Sequence, residues 1–200
     1  MPVSTIYLLR HGDSRRDGVK RFMGRTDLPL SAAGEAQAKE WQRQLAHLTF
    51  SRVICSDLNR SRETAKLVAL GHGVALQEIS SLREIDMGEW DGRSFAEIRQ
   101  QFPDAFSRRG EEIATFRPPG GESFSDLEQR VLPAFSRLVQ GATGNLLVVG
   151  HAGVNRVLIC HLLGMPLVNL FRIGQGYGCL NLIEASADGF RVQGVNLPRL

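Results

Sequence analysis

Short continuous apolar runs alternate along the chain with segments whose apolar residues recur every three or four positions. Residues 5–9, "TIYLL", form the first such run and predict a short strand buried on both faces. In 31–48 the apolar residues Ala38, Trp41, Leu45 and Leu48 fall on one face of an amphipathic helix. Residues 52–56, "RVICS", read as a second buried strand, and 57–70 as a second helix with Ser56 or Asp57 as its N-cap. Further on, Phe124, Leu127, Val131, Phe135 and Leu138 mark a helix, and "LVVG" at 147–150 marks a third strand. Val154, Val157, Leu158, His161 and Leu162 mark the helix after it. Residues 178–195 read as two strands joined around Asp188-Gly189, an antiparallel pair at a sheet edge.

Strands that alternate with helices predict an α/β fold: a three-layer sandwich with a mostly parallel central sheet and helices on both faces. Residues 86–121 break the rhythm. They carry Phe95, Phe102, Phe106, Phe116 and several arginines without a clear strand, and are expected to form a small helical or irregular cap over the strand carboxyl ends. Without a repeat, low-complexity tract or linker, residues 1–200 are expected to be one domain with this cap inserted.

Composition narrows the function classes. The apolar and charged fractions, 42% and 22%, are those of an ordinary globular protein. A net charge of +3 with Lys and Arg spread along the chain is unlike the concentrated basic surface of a nucleic-acid binder, so no nucleic-acid partner is expected. Local basic pockets for an anionic small molecule account for the same excess. The three cysteines, Cys55, Cys160 and Cys179, form no close pairs and suit a reducing compartment. No apolar run approaches the roughly 18 residues of a membrane span, and no signal-peptide pattern is present. A cytoplasmic, soluble protein without a membrane partner is the expectation.

Ligands of open α/β sheets sit at the strand carboxyl ends. The first strand ends in Arg10-His11-Gly12 and the third in Gly150-His151-Ala152-Gly153. Each histidine is followed by residues small enough for close backbone approach. A lone histidine is ordinarily a core or surface residue, and His47, His72 and His161 are read so. Two at two strand ends point to a site. Arg60 falls in the first turn of the second helix, where a cation opposes the helix dipole. A bound anion would reverse that effect. Arg62, two residues on, lies on another side of the helix. Two arginines and two histidines make a pocket for phosphate, because guanidinium groups match phosphate geometry and do not ligate metals. No metal and no cofactor are expected. The acid needed to protonate a leaving group comes from "LREIDMGEWDG", among whose Glu84, Asp86, Glu89 and Asp91 the pattern does not choose.

"LLRHGDS", "FMGRTDLPLSAAGEAQA", "SDLNRSRETA", "LREIDMGEWDG", "PPGGES" and "VVGHAGVNR" follow one another along most of the chain. On these motifs the chain resembles the histidine phosphatase superfamily in its phosphoglycerate-mutase-like branch. The compact broad-specificity phosphatases, and above all the α-ribazole phosphatases, are most similar, the latter through the tail "GMPLVNLFRIGQGYGCLNLIE". The resemblance implies that His11 is a nucleophile that becomes phosphohistidine, and that Arg10, Arg60 and His151 hold the transferring phosphoryl group. It implies Glu84 as general acid. Ser14, Gly24 and the Ala152 amide correspond to lesser phosphate or substrate contacts, and Asp17 stands where many members carry Asn near the substrate phosphate. Asp13 replaces a usual Glu. With Arg15, Arg16 and Asp17 it would line the mouth of the site, where this chain is expected to differ from its relatives. Glu122 either orients catalytic residues or serves the start of its helix. The implied activity is hydrolysis of a phosphorylated small molecule, with α-ribazole 5′-phosphate as the leading specific candidate and a broad-specificity sugar or nucleotide phosphatase close behind. A mutase is the alternative, although the glycolytic mutases are longer after the acid motif. A non-catalytic phospho-ligand module is another, against which the intact nucleophile and acid argue.

Overall fold

The computed structural model describes residues 4–15 and 17–198; Arg16, expected at the mouth of the site, lies outside them. Twelve main elements follow in order: β1 (Ser4–Arg10), α1 (Ala32–Leu45), β2 (Phe50–Cys55), α2 (Asn59–Val68), β3 (Leu76–Glu78), α3 (Phe95–Gln101), α4 (Pro103–Glu111), α5 (Phe124–Val139), β4 (Gly144–Gly150), α6 (Ala152–Leu162), β5 (Leu180–Ser186) and β6 (Gly189–Leu197). The strands form one sheet in the order β3-β2-β4-β1-β5-β6. The first four in that order run parallel, and β5 and β6 complete the sheet as an antiparallel pair at the edge.

Alternate side chains of a strand point to opposite faces, and both faces are covered. Ile6, Leu8, Ile54, Leu146 and Val148 pack under α5 and α6, through Leu127, Val131, Phe135, Val157 and Leu158. Leu9, Val53, Cys55, Leu147 and Val149 pack under α1 and α2, through Ala38, Trp41, Leu45, Ala65 and Val68. That two-sided burial is why the strands read as continuous apolar runs. Each fully buried leucine or valine contributes about 1.5–3 kcal/mol.

Several local expectations are corrected. Neither Ser56 nor Asp57 caps α2. Leu58 holds the N-cap position and makes no side-chain cap. Ser56 Oγ is bound to His151 Nε2 at 2.6 Å and Asp57 pairs with Arg83 at 2.6 Å, so both are drawn into other contacts. The helix start is satisfied from outside instead: Asp27 accepts the Asn59 N–H at 2.6 Å. Leu48 lies past the end of α1, where the chain has turned, though it still packs on the same core. His161 is exposed in the last turn of α6, a surface residue as one of its two expected roles had it, so the apolar face of that helix ends without it. Three-residue β3, half-buried to exposed at the sheet edge, carries no apolar signature and was invisible in the pattern.

Residues 86–121 contain α3 and α4, with a capping box of Ser94 and Glu97 starting α3. Their aromatics pack mainly on one another: Phe22 stacks on Phe95 with centroids 4.1 Å apart, and Trp90 meets Phe116 at 5.4 Å. Phe22 belongs to the loop after β1, which is stitched to this segment by Phe22 N–H to Arg93 O, Gly92 N–H to Phe22 O and Phe95 N–H to Lys20 O.

The loop that leaves β1 presses directly on α1. A Cβ on Gly12 would stand 2.5 Å from the Gly34 carbonyl oxygen, and one on Gly34 would collide with the Asp13 carbonyl. Backbone meets backbone there, with no flexible side chain to give way. Gly34→Ala is therefore expected to destabilise the fold by about 1–3 kcal/mol. A urea titration checks this: the midpoint should fall at constant slope, and an unchanged midpoint would contradict the close contact.

Candidate active site

Parallel pairing of β1 with β4 sets Arg10 opposite Gly150, and the His11 N–H donates to the Gly150 carbonyl at 3.0 Å. The next residue of each strand is a histidine, so His11 and His151 stand side by side with ring centroids 5.1 Å apart. Both are buried. His11 Nδ1 lies 2.7 Å from the Gly12 carbonyl oxygen. A carbonyl only accepts, so Nδ1 carries the proton and Nε2 keeps its lone pair. Burial, and after it the charges of Arg60 and Arg10, hold the His11 pKa well below the ordinary histidine value. His151 is lowered in the same way, by burial first and then by Arg60, His11 and Arg10.

Arg60 is 1% exposed in the first turn of α2. It donates to the carbonyls of Thr26 at 2.7 Å and Gly24 at 2.6 Å. Arg10 donates from one terminal nitrogen to the Gln175 carbonyl at 2.5 Å, and its guanidinium lies 3.7 Å over the Tyr177 ring. Two buried nitrogens in this cluster have no described partner, Arg10 Nε and His151 Nδ1. Glu84 is buried beside them, one carboxylate oxygen accepting the Ile85 N–H at 2.9 Å and the other the Gly153 N–H at 3.0 Å, at the start of α6. Arg10, His11, Arg60, Glu84 and His151, 141 positions apart in sequence from first to last, thus share one buried centre.

A sequence profile of the histidine phosphatase superfamily (branch 1) matches residues 6–198. The chain belongs to that superfamily. It is 32% identical over 186 residues to the adenosylcobalamin/alpha-ribazole phosphatase of Salmonella typhimurium, with 92% of each chain covered. It is 32% identical over 162 residues to a probable phosphoglycerate mutase, GpmB, of Salmonella choleraesuis, covering 80% of this chain and 75% of the relative. The crystal structure of a putative alpha-ribazole-5′-P phosphatase from Escherichia coli K-12 superposes with a TM-score of 0.89 at 29% identity, over 96% of both chains. The chain is a phosphatase, a phosphoric monoester hydrolase of the histidine phosphatase type.

In this histidine phosphatase the four acids left open by the sequence pattern separate. Glu84 accepts the Gly153 N–H in the first turn of α6, two residues after His151, Asp86 pairs with Arg25 at 3.0 Å, and Glu89 is exposed. Asp91 accepts the backbone N–H groups of Gly24, Arg25 and Thr26 at 2.8, 2.8 and 2.7 Å. It thereby shapes the turn whose carbonyls hold Arg60, a role nothing in the sequence pattern disclosed. Glu122 is settled as well. The start of α5 is capped by Ser123 and Asp126. Glu122 instead pairs with Arg130 at 2.7 Å and accepts the Asp86 N–H at 3.0 Å. Arg130 also donates to the carbonyls of Ser81 at 2.8 Å and Arg83 at 3.1 Å. The pair clamps the backbone on both sides of Glu84.

The expected substrate contacts fall in different places. Ser14 is buried and lines a cavity of about 630 Å³, which Arg10 and Tyr177 also line; the Tyr177 ring stands 5.6 Å from that of His11. The Gly24 N–H is already given to Asp91 and its carbonyl to Arg60, so this glycine acts on the site through Arg60. Ala152 opens α6, its half-buried backbone at the helix N-terminus. Asp17 lines the cavity but is exposed, and pairs with Arg21 at 2.7 Å, which offsets its charge. Asp13 is bound by Arg15 at 2.6 Å. Arg156 was missed. It lines the same cavity one turn beyond Ala152, fixed by its Nε on the Ile173 carbonyl at 2.9 Å. Its position in the "VVGHAGVNR" motif was the available signal.

The two buried, neutral histidines give a pH signature. Unfolded histidine titrates near pH 6.5, while both folded pKa values lie well below it. Their contribution to stability is complete above about pH 6.5 and is lost as pH falls from there toward the folded values. Unfolding free energy measured by urea should decline below about pH 6.5 by up to about 1.4 kcal/mol per pH unit for each histidine. His11→Gln should flatten that decline, and an equally steep one in the variant would count against a buried neutral His11.

Proposed function

We propose that this phosphatase hydrolyses a small-molecule phosphomonoester by two in-line transfers through a phosphohistidine on His11. The observation that carries the reading is the pair of orphaned buried nitrogens, Arg10 Nε and His151 Nδ1, beside a histidine whose Nε2 keeps its lone pair. An unpartnered buried polar group costs about 1–3 kcal/mol, and more when charged. Phosphoryl oxygens placed between Arg10, Arg60 and His151 remove that deficit. With Ser56 donating its O–H to His151 Nε2, the His151 proton sits on Nδ1, ready to meet an oxyanion.

In the first transfer His11 Nε2 attacks phosphorus, the bond to the leaving oxygen breaks, and Glu84 gives that oxygen a proton. In the second, Glu84 takes a proton from water as the water oxygen attacks phosphorus, and the bond to His11 breaks. Arg10, Arg60 and His151 stabilise the equatorial oxygens in both steps. A single arginine in this role is worth about 10³–10⁵ in rate. Positive charge is supplied by guanidinium groups, so EDTA is expected to leave the rate unchanged.

The cavity takes the leaving group. Val19, Met23, Leu28, Phe95 and Tyr177 give it an apolar wall, and Arg15, Lys20 and Arg156 a basic one. In this reading residues 86–121, joined to the loop after β1, serve as the cap of a single domain spanning 1–200. α-Ribazole 5′-phosphate is the specific candidate, supported by the names of the relative and of the structural neighbour. The three buried, unpaired cysteines suit the cytoplasm. Among the described residues no helix is long and apolar enough to cross a membrane. Similarity to a probable phosphoglycerate mutase supports a second activity beside hydrolysis, in which the phosphoryl group returns to another hydroxyl. Isomerisation of 3-phosphoglycerate stimulated by trace bisphosphoglycerate would favour it.

Purified protein should hydrolyse p-nitrophenyl phosphate, and labelled substrate with an acid-independent quench should trap an acid-labile, base-stable phosphoenzyme. His11→Ala should abolish both signals. Normal turnover by that variant would sink the mechanism. In a phosphate-release screen, α-ribazole 5′-phosphate should show the highest kcat/KM of a phosphomonoester panel.

A further inference from the structure

Arg10 has a long, flexible side chain, yet phosphoryl transfer needs its guanidinium in one place. Among the described residues its guanidinium has one hydrogen bond, to the Gln175 backbone carbonyl, and its cover is the Tyr177 ring, while the Arg10 backbone N–H donates to the Cys179 carbonyl at 2.9 Å. All three come from residues 174–179, a connection outside every helix and strand that contains Gly174, Gly176 and Gly178. Glycine-rich backbone is the least suited to hold a partner still. Something must stiffen it.

We propose that Gln175 is a positioning residue, whose side chain, locked in a buried cluster of amides, fixes the backbone carbonyl that aims Arg10. Gln175 is 5% exposed, and Asn155 and Asn181 are fully buried. Gln175 Oε1 accepts from Asn155 Nδ2 at 3.1 Å and from Asn181 Nδ2 at 3.2 Å. Gln175 Nε2 donates to Asn181 Oδ1 at 2.6 Å. The cluster reaches β1, β5, β6 and α6. Asn181, on β5, donates to the Leu8 carbonyl of β1 at 3.0 Å, two residues before Arg10. Asn155 lies on α6, where its N–H donates to the His151 carbonyl at 2.9 Å. From β6, Asn196 accepts the Gly176 N–H at 2.7 Å and gives its own N–H to Asn181 Oδ1 at 2.9 Å. Asn196 does so in a left-handed backbone conformation, φ 54°.

Core stability alone accounts poorly for this arrangement. Asn155 Oδ1 is buried without a described partner, against Gly150, where a Cβ would stand 2.7 Å from it. An apolar side chain of similar size would carry no such penalty. Rules broken in this way tend to mark function. Only a primary amide both accepts two N–H groups and donates to Asn181. Methionine fills the same space and makes none of these bonds.

The proposal rests on the phosphatase reading, and a double-mutant cycle separates the two. kcat and KM for p-nitrophenyl phosphate are measured in the unsubstituted protein, Gln175→Met, Arg10→Ala and the double variant, alongside near-UV circular dichroism. A folded Gln175→Met is expected to lose about tenfold or more in kcat, the cost of a misplaced group. In the Arg10→Ala background the same substitution is expected to cost less than about twofold, because the group it acts through is gone. Equal losses in both backgrounds, or no loss in the first, would overturn the proposal. Should Gln175→Met fail to fold, Asn155→Ala, which removes one bond to Oε1, takes its place in the cycle. If the unsubstituted protein does not hydrolyse the ester at all, the functional reading fails instead. The same cycle is then read as the dissociation constant of orthovanadate, with the same two outcomes.

Discussion

Everything in the site depends on the parallel pairing of β1 with β4. Its register ends with Arg10 opposite Gly150, so the residue that follows each strand emerges at the same level. A slip by one residue would turn the side chains of a strand to the opposite face. That slip is blocked by the two cores, which demand Ile6 and Leu8 on one side and Leu9 on the other. The adjacency of His11 and His151 is therefore a product of hydrophobic burial on both faces of a sheet. No direct bond between the rings is needed to produce it.

A second constraint concerns charge. Arg60 is buried, yet its described hydrogen bonds run to carbonyl oxygens, and the same holds for Arg10. Carbonyl dipoles orient a guanidinium without cancelling its charge. The carboxylates nearby are bound otherwise: Glu84 by two backbone N–H groups, Asp91 by three, Glu122 by Arg130, Asp13 by Arg15. The centre keeps a positive field in a poorly solvated place, where such a field acts most strongly on an anion. The same field, together with burial, keeps both histidines unprotonated. Nucleophile activation and anion binding thus share one source.

How much of this could be read from the chain follows from the range of each interaction. The central strands and the four large helices announced themselves through burial periodicity, and the rule that ligands sit at strand carboxyl ends singled out Arg10, His11 and His151. Arg60 was visible because it opposes a helix dipole. Glu84 was not separable from its acidic neighbours by pattern, since only tertiary contacts send Asp86 to Arg25 and Asp91 to the 24–26 turn; family resemblance singled it out. The α2 cap was misread for a related reason: Ser56 and Asp57 have good cap chemistry, but distant partners claim them. The amide cluster around Gln175 leaves no local signature, because its partners lie on separate elements, and Arg156 shows only through its place at the end of "VVGHAGVNR".

Asp91 has a wider meaning for how such a protein can change. It belongs to the segment that contributes Phe95 to the cavity proposed for the leaving group, yet its carboxylate shapes the turn that grips Arg60. In the proposed reading, substrate choice and phosphate affinity are wired through one side chain. Drift in the segment around it can alter which ester enters only along paths that keep this carboxylate in place. Diversification in this architecture is channelled toward the outer positions, such as the exposed Asp17, whose side chain makes no contact with the turn that grips Arg60.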